Sequence, residues 1–394
     1  MNCKAVYISI LILFSITALA APTRKQLTLF KNDVATVRQT LKTGKNLEKS
    51  EATVRHYLAD TLFNSDVRLH QLLCDVLKKA YEVGNEKMYL HQKTDTVCLV
   101  NTGKRMFLAY EKLDSLDSSA RRRNAAYLLP YRTNIFMGGV FFLRRKAWSD
   151  AWECFDIYLQ CPHTSLFSES GLTEDDRTTR RVAFLSLVTA HRLGSLPLAL
   201  RYAPLSVQSK HGEKAYEILS EMSINHADTL HAIQFLREGF LKYRTSPYFF
   251  THLTDILCSE GKYQEALNVC DSALVADSLN AGFLQGKHIV LMNMKRYDES
   301  IEWGRKAIEQ NDSLDTPHYN IGYIYYKRAH KSLGKLSKPY RQRLREAQKS
   351  FRLLLPYMER YRALRPDDVK RWKPILYDTY LNLNMGKEFS EISK

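Results

Sequence analysis

The chain has 394 residues, 45% of them hydrophobic and 11% aromatic, which is ample for a well-buried core. Its 16 Gly and 11 Pro are too few for a β protein with many turns, and long runs rich in Leu, Ala, Lys, Arg and Glu favour an all-α fold. The formal net charge of +16 at pH 7 favours acidic partners or anionic surfaces without choosing between them.

The N-terminus has the pattern of a secretion signal. Lys4 supplies a positive charge, residues 5–16 form an apolar run, and Ala18-Leu19-Ala20 matches a small-x-small cleavage site. We expect residues 1–20 to be cleaved and the protein to be exported, to the periplasm or beyond the cell; an uncleaved membrane anchor is the alternative. Cys3 precedes the apolar run, whereas a bacterial lipoprotein cysteine would follow it, so no lipid anchor is indicated. No other stretch approaches about 18 consecutive apolar residues, so no transmembrane segment is expected after cleavage.

An N-terminal helical region is predicted for residues 21–130. A first helix should end at Gly44, and Asp66 should cap a helix that breaks at Gly84. The serines and arginines of residues 114–124 indicate an exposed connection.

Helix–turn–helix units are predicted for residues 131–368. Degenerate units begin near residues 133, 180 and 213, and a loop at 161–176 interrupts them. The clearest units cover 247–327, because residue types recur there every 34 positions: Tyr263 as Tyr297, Glu265 as Glu299, Ala273 as Ala307, and Leu257 as Leu291 and Tyr325. This period is the sequence sign of stacked helix pairs.

With these residues the chain resembles the tetratricopeptide repeat (TPR) family, whose first helix carries Leu-Gly and Tyr and whose second carries Ala, an aromatic residue and Ala. The resemblance implies an all-α, right-handed solenoid of helix hairpins, here with extra N-terminal helices. The motif is broken where Lys287-His288 replaces Leu-Gly and Gly304 replaces the aromatic residue. An insert at about 331–343 enlarges the third clear unit, and a helix within 369–394 should cap the open end.

The N-terminal third also resembles exported TPR proteins of the Bacteroidota kind. The stretches that carry this resemblance are residues 44–49, 81–87, 104–107 and 132–139. It implies an exported helical-repeat protein and brings with it neither a reaction nor a known ligand.

A stack of helix hairpins leaves a concave face lined by the first helix of each unit, and aromatic and Met side chains there suit peptide binding. We expect a groove for a protein or peptide formed by Thr251, Asp255, Gln285, Ile289, Met292, Tyr319, Tyr323, Tyr326 and Lys327. The alternative is that Tyr323 and Tyr326 pack against the insert or the capping helix. These residues do not supply the Lys/Asn clamp of TPR proteins that bind C-terminal carboxylates, so that partner class is rejected.

A basic segment runs from Lys327 to Lys349, with nine Lys/Arg residues and the single acid Glu346. Three interpretations stay open: a solvated helix face, an anionic partner such as lipid phosphate or an acidic protein, and nucleic acid, which the expected export disfavours.

Signatures of catalysis and metal binding are missing from the sequence: HExxH, CxxC, GxSxG, GxGxxG and a phosphate-binding loop do not occur. Six cysteines remain after the signal; we expect small buried side chains, although Cys258 and Cys270 could meet. We therefore expect a non-catalytic scaffold in the cell envelope that binds protein or peptide and uses no cofactor and no metal. The alternative is an accessory component of an envelope uptake or outer-membrane assembly complex.

Overall fold

The computed structural model describes residues 24–173 and 175–393, and within these ranges all regular structure is helical. The predicted all-α class is therefore confirmed, while the predicted signal peptide lies outside the described residues. Two compact units make up the chain: unit 1 ends at Lys210 and unit 2 begins at His211. Among the described helices, none is both long enough and apolar enough to cross a membrane.

Unit 1 consists of helices joined by short turns, except for the longer loop at 161–176. They are α1 (Arg24–Thr43), α2 (Leu47–Ala59), α3 (Val67–Tyr89), α4 (Thr96–Leu116), α5 (Arg121–Leu128), α6 (Arg132–Arg144), α7 (Trp148–Gln160), α8 (Arg177–Leu193), α9 (Leu196–Leu200) and α10 (Ala203–Ser206). The predicted stop at Gly44 is confirmed, because this residue has a φ of 67° after α1. The predicted cap of α3 is confirmed as well: Asp66 accepts hydrogen bonds from the N–H groups of Arg68 and Leu69.

The predicted break at Gly84 is wrong, because α3 continues to Tyr89. A Cβ atom at Gly84 would lie 2.8 Å from Leu99 Cδ1, so the missing side chain lets α4 approach α3 closely. The glycine at this position allows close packing of the two helices and does not end α3.

The segment 114–124 is also more ordered than an exposed connection. Asp114 is buried and accepts bonds from Arg121 Nε at 2.9 Å and Nη2 at 3.0 Å. Ser165 Oγ donates to the same carboxylate at 2.7 Å, which ties the predicted loop at 161–176 to the end of α4. Arg121 and these hydrogen bonds hold the pKa of Asp114 below its usual value, although burial opposes the shift.

The predicted domain boundary at residue 130 stays a prediction, and contacts cross it inside unit 1. Asn134 Nδ2 on α6 donates to the Tyr81 hydroxyl on α3 at 3.1 Å. Lys104 on α4 bonds Asp150 at 3.0 Å and Glu153 at 2.7 Å on α7. The N-terminal helices and the first hairpin therefore share packing and ion pairs.

Unit 2 consists of α11 (Gly212–Asn225), α12 (Thr229–Lys242), α13 (Pro247–Ser259), α14 (Tyr263–Ala276), α15 (Ala281–Asn293), α16 (Tyr297–Gln310), α17 (Asp315–Leu333), α18 (Tyr340–Leu364), α19 (Val369–Leu383) and α20 (Gly386–Ser393). The starts of α13, α15 and α17 are 34 residues apart, as are those of α12, α14 and α16. The helix–turn–helix repeat is thus confirmed, and at the level of the fold so is the TPR resemblance.

The first three hairpins of unit 2 turn through one left-handed residue at a fixed place in the repeat: Ala227 (φ 56°), Gly261 (φ 73°) and Lys295 (φ 60°). At the middle turn, Gly261 N–H bonds the Cys258 carbonyl at 3.1 Å and Lys262 N–H bonds the Leu257 carbonyl at 2.8 Å. This Schellman pattern satisfies the last carbonyls of the first helix. Only one of the three residues is glycine, so Ala227 and Lys295 hold a backbone conformation that their side chains disfavour.

The two departures from the TPR motif compensate each other. His288 on α15 is fully buried, and a Cβ atom at Gly304 on α16 would lie 2.8 Å from His288 Nδ1. In the α6–α7 hairpin the sizes are reversed, because Gly139 on the first helix faces Phe155 on the second. Both of these hairpins place one large side chain and one glycine at this contact, and either order fills the space.

The insert lengthens the third hairpin on both sides of its turn. Helix α17 has 19 residues where α13 and α15 have 13 each, and α18 has 25 where α14 and α16 have 14 each. Within the range predicted for a capping helix lie α19, whose C-cap is Asn384 with a φ of 59°, and α20, which begins at Gly386. All six cysteines among the described residues are free thiols, with Cys270 buried and Cys258 half-buried.

Candidate partner-binding groove

The predicted groove residues fall into columns on the first helices of unit 2. Thr251, Gln285 and Tyr319 are 34 residues apart on α13, α15 and α17, and so are Asp255, Ile289 and Tyr323. Met292 and Tyr326 form part of a third column. Because the helices repeat with the same period, each column consists of one position of the repeat on successive first helices.

A cavity of about 200 Å³ lies between α13 and α15. Four predicted residues line it: Thr251, Asp255, Gln285 and Ile289. The close approach of the two helices needs Gly286, because a Cβ atom there would lie 2.5 Å from Phe250 Cζ. The structure thus brings these four residues together in one concave site.

The polar groups of this cavity have spare bonding capacity. Gln285 Oε1 is buried and has no hydrogen-bond partner within the described chain. Asp255 is exposed and forms no ion pair there. A buried, unsatisfied carbonyl costs about 1–3 kcal/mol, so a donor from a partner molecule would be favoured at Gln285.

Two further lining residues, Cys258 and Asn293, were not predicted. Burial raises the pKa of the Cys258 thiol, while its hydrogen bond to Asn293 opposes that shift. The repeat contains the missing signal: Cys258 is 34 positions before Met292, and Asn293 is 34 positions before Lys327.

Farther along the columns, Tyr319 and Tyr323 are half-buried beside the helices that follow α17. Their rings stack at 5.8 Å, and the Tyr361 ring of α18 lies 5.0 Å from that of Tyr319. The Lys327 ammonium lies 4.7 Å from the centre of the Tyr323 ring. This end of the predicted groove is aromatic and partly covered, with Lys327 exposed at its edge.

Tyr326 has a structural partner. Its hydroxyl donates to Asp378 Oδ2 on α19 at 2.6 Å, and its ring lies 6.5 Å from that of Phe351 on α18. Burial, followed by this bond to a carboxylate, raises the pKa of the Tyr326 hydroxyl. Tyr326 therefore packs against the capping helix, which was the alternative to a place in the groove.

Larger cavities occur in unit 1. One of about 460 Å³ between α2, α3 and α4 is lined in part by an ion pair, in which Arg105 Nε lies 2.8 Å from Glu51 Oε1. Another, of about 290 Å³, is mainly apolar and includes Met88, Met137 and Phe141. Among the described residues, no group of three or more His, Cys, Asp or Glu side chains is placed to hold a metal ion.

No protein-family model and no curated protein matches the sequence. Solved helical-repeat structures do match: MamA from Desulfovibrio magneticus is 14% identical over 47% of this chain and 96% of its own, with a TM-score of 0.34. The C-terminal part of a TPR repeat-containing protein from Cytophaga hutchinsonii is 13% identical over 66% of this chain and 99% of its own, with a TM-score of 0.37. The Cut9–Hcn1 hetero-tetramer of the APC/C is 12% identical over 90% of this chain and 63% of its own, with a TM-score of 0.34. Identities and scores this low transfer no partner and no activity to this chain.

Proposed function

We propose that the protein is a non-catalytic scaffold that binds an extended protein segment in the groove of unit 2. The observation that carries this proposal is the cavity between α13 and α15, which is lined by Gln285, whose buried Oε1 has no hydrogen-bond partner among the described residues. A peptide backbone offers N–H donors at regular intervals, and one of them would satisfy this oxygen.

The rest of the groove defines the chemistry of the bound segment. Ile289 offers apolar surface in the cavity, and exposed Asp255 would favour a basic side chain beside it. Toward α17, the Tyr319–Tyr323 stack would take an apolar or aromatic side chain, and Lys327 would favour an acidic one. The partner segment would thus be of mixed polarity, with opposite charges toward its two ends.

The site of action that we propose is the cell envelope. This part of the proposal rests on the signal-like residues 1–20 and on the resemblance of the N-terminal third to exported TPR proteins. Fractionation of the source cells tests it: recovery with the periplasm or the medium is expected, and recovery with the cytoplasm would contradict it.

A peptide selection tests binding in the groove. The chain from residue 21 is used to enrich phage-displayed random peptides, and their affinities are measured by fluorescence anisotropy. The double variant Asp255→Ala/Gln285→Ala should raise the Kd of enriched peptides at least tenfold, a loss of about 1.4 kcal/mol.

The matched control is Gln264→Ala/Asn268→Ala on α14, where both exposed side chains bond only each other, at 3.3 Å. Its affinities should equal those of the wild type. Failure to enrich any peptide, or equal binding to the groove variant and the wild type, would refute the groove.

A further inference from the structure

The enlarged hairpin of unit 2 ends in an ordered tip. Helix α17 runs six residues beyond the position at which α15 ends in the repeat, an extension of about 9 Å at 1.5 Å per residue. Arg343 Nη1 donates to the Leu333 carbonyl at 2.7 Å, and Lys338 Nζ bonds Glu346 Oε1 at 2.6 Å. These contacts bind the turn at 334–339 to both helices and keep its shape defined.

Two large apolar side chains stand exposed at this tip. Leu336 in the turn is 83% exposed, and Tyr340 at the start of α18 is 63% exposed. Arg343 lies 5.6 Å from the centre of the Tyr340 ring, so that ring has a cation beside it. Folding gives Leu336 almost no burial, whereas transfer out of water on a partner surface would be favourable.

Unpaired positive charge surrounds these side chains. The segment Lys327–Lys349 has nine Lys/Arg residues and one acidic residue, Glu346, which forms an ion pair with Lys338. Asp298 on α16 pairs with Arg328. Six exposed cations of this segment form no ion pair among the described residues: Lys327, Lys331, Lys335, Arg341, Arg345 and Lys349.

We propose that this tip docks on an anionic lipid surface. Leu336 and Tyr340 enter the boundary between headgroups and acyl chains, where an aliphatic and an amphipathic aromatic side chain are both stable. Lys331, Lys335, Arg341 and Arg345 contact lipid phosphates, each strengthening binding roughly fivefold. Cations around an apolar tip fit a lipid interface better than nucleic acid, whose phosphates give Leu336 no apolar environment. The tip is a second surface, separate from the cavity between α13 and α15.

Vesicle co-sedimentation of the chain from residue 21 tests this proposal. The wild type should bind vesicles of phosphatidylcholine containing about a third phosphatidylglycerol, more weakly at high salt, and should not bind pure phosphatidylcholine. Leu336→Ser/Tyr340→Ser should lower the partition coefficient at least tenfold. The quadruple variant Lys331→Gln/Lys335→Gln/Arg341→Gln/Arg345→Gln should also lower it at least tenfold.

Matched controls test whether a loss of vesicle binding is specific to the tip. They remove exposed apolar side chains or positive charges elsewhere. Val275→Ser/Leu279→Ser removes two apolar side chains that are 84% and 66% exposed on and after α14. Lys45→Gln/Arg122→Gln/Arg144→Gln/Lys210→Gln removes four exposed cations elsewhere. Both controls should bind vesicles as the wild type does.

Three results would overturn the proposal: no binding by the wild type, equal losses in the controls, or full binding by the Leu336/Tyr340 variant. Retention of binding to a single-stranded oligonucleotide, with no binding to vesicles, would identify nucleic acid as the partner instead. Circular dichroism should show native helicity in every variant, because all substituted residues are exposed. Peptide binding in the groove should be unchanged in the tip variants, so the two proposals fail independently.

Discussion

At the scale of the residue, His288 shows how a broken motif is repaired. The imidazole stands at the position where the TPR motif has glycine. Gly304 stands where the motif has an aromatic residue, and its missing side chain leaves room for the imidazole. His288 Nδ1 lies 2.7 Å from the Ser300 carbonyl, while Nε2 is buried without a partner within the described residues. Burial lowers the pKa of His288, and the bond to the Ser300 carbonyl opposes the shift only in part.

This burial makes stability depend on pH. Because the folded-state pKa lies below the unfolded value near 6.5, the unfolded chain binds a proton first as the pH falls. The His288 contribution is therefore complete above about pH 6.5 and is lost as the pH falls from there through the folded-state pKa. We expect the Tm of the wild type to decrease between pH 7.5 and pH 5.5.

The control is His288→Thr/Gly304→Cys, which copies the Thr254 and Cys270 of the preceding hairpin. The variant keeps every other histidine, so its smaller decrease in Tm isolates the part due to His288. An equal decrease in both proteins, measured by calorimetry, would show that His288 does not titrate on unfolding in this range.

At the scale of the element, the turns of unit 2 contain avoidable strain. Lys295 has a φ of 60° at the position that Gly261 occupies one repeat earlier. Replacing Lys295 with glycine should stabilise the protein by about 1 kcal/mol, because the left-handed conformation costs a side chain about 1–2 kcal/mol and glycine loses somewhat more entropy on folding. Denaturant unfolding measures the change.

The matched control is Glu302→Gly, an exposed site inside α16, where glycine should destabilise the protein by about 1 kcal/mol. If Lys295→Gly destabilises the protein as the control does, the turn does not carry the strain assigned to it.

The helical elements were predictable to the extent that each carried a local signal. The predicted stop at Gly44 and the predicted cap at Asp66 coincide with helix ends, because the Gly44 N–H and the Asp66 side chain satisfy unpaired backbone groups there. The predicted break at Gly84 was wrong, since glycine is needed there for close packing against Leu99 in the next helix. The left-handed turns at Ala227 and Lys295 could not be predicted from the sequence, because neither Ala nor Lys favours a positive φ.

At the scale of the whole molecule, the period of 34 predicted both a fold and a surface. Thr251, Asp255, Gln285 and Ile289 lie in one cavity because the positions recur with the helices that carry them. What the period could not predict is the environment of Tyr326, which bonds Asp378, 52 residues away on a helix after the insert. The 34-residue period predicts contacts only between residues that follow it, and the insert and α19 do not follow it.

The same reasoning distinguishes the two ends of the groove. The α13–α15 end is open and has an unsatisfied buried acceptor, whereas the α17 end is partly filled by its own tyrosines and by α18 and α19. Binding should therefore depend more on Asp255 and Gln285 than on Tyr326, whose substitution would disturb the packing of the capping helix.

The most direct test of the central claim is site-specific photo-crosslinking in cells that produce the full chain. Benzoylphenylalanine is placed at Thr251 or Asp255 in the groove, and at Gln264 or Asn268 on α14, all four of which are exposed positions. A scaffold that binds protein in the groove should give discrete higher-mass adducts from the first pair only. Adducts of equal yield from both pairs, or none from Thr251 and Asp255, would contradict it.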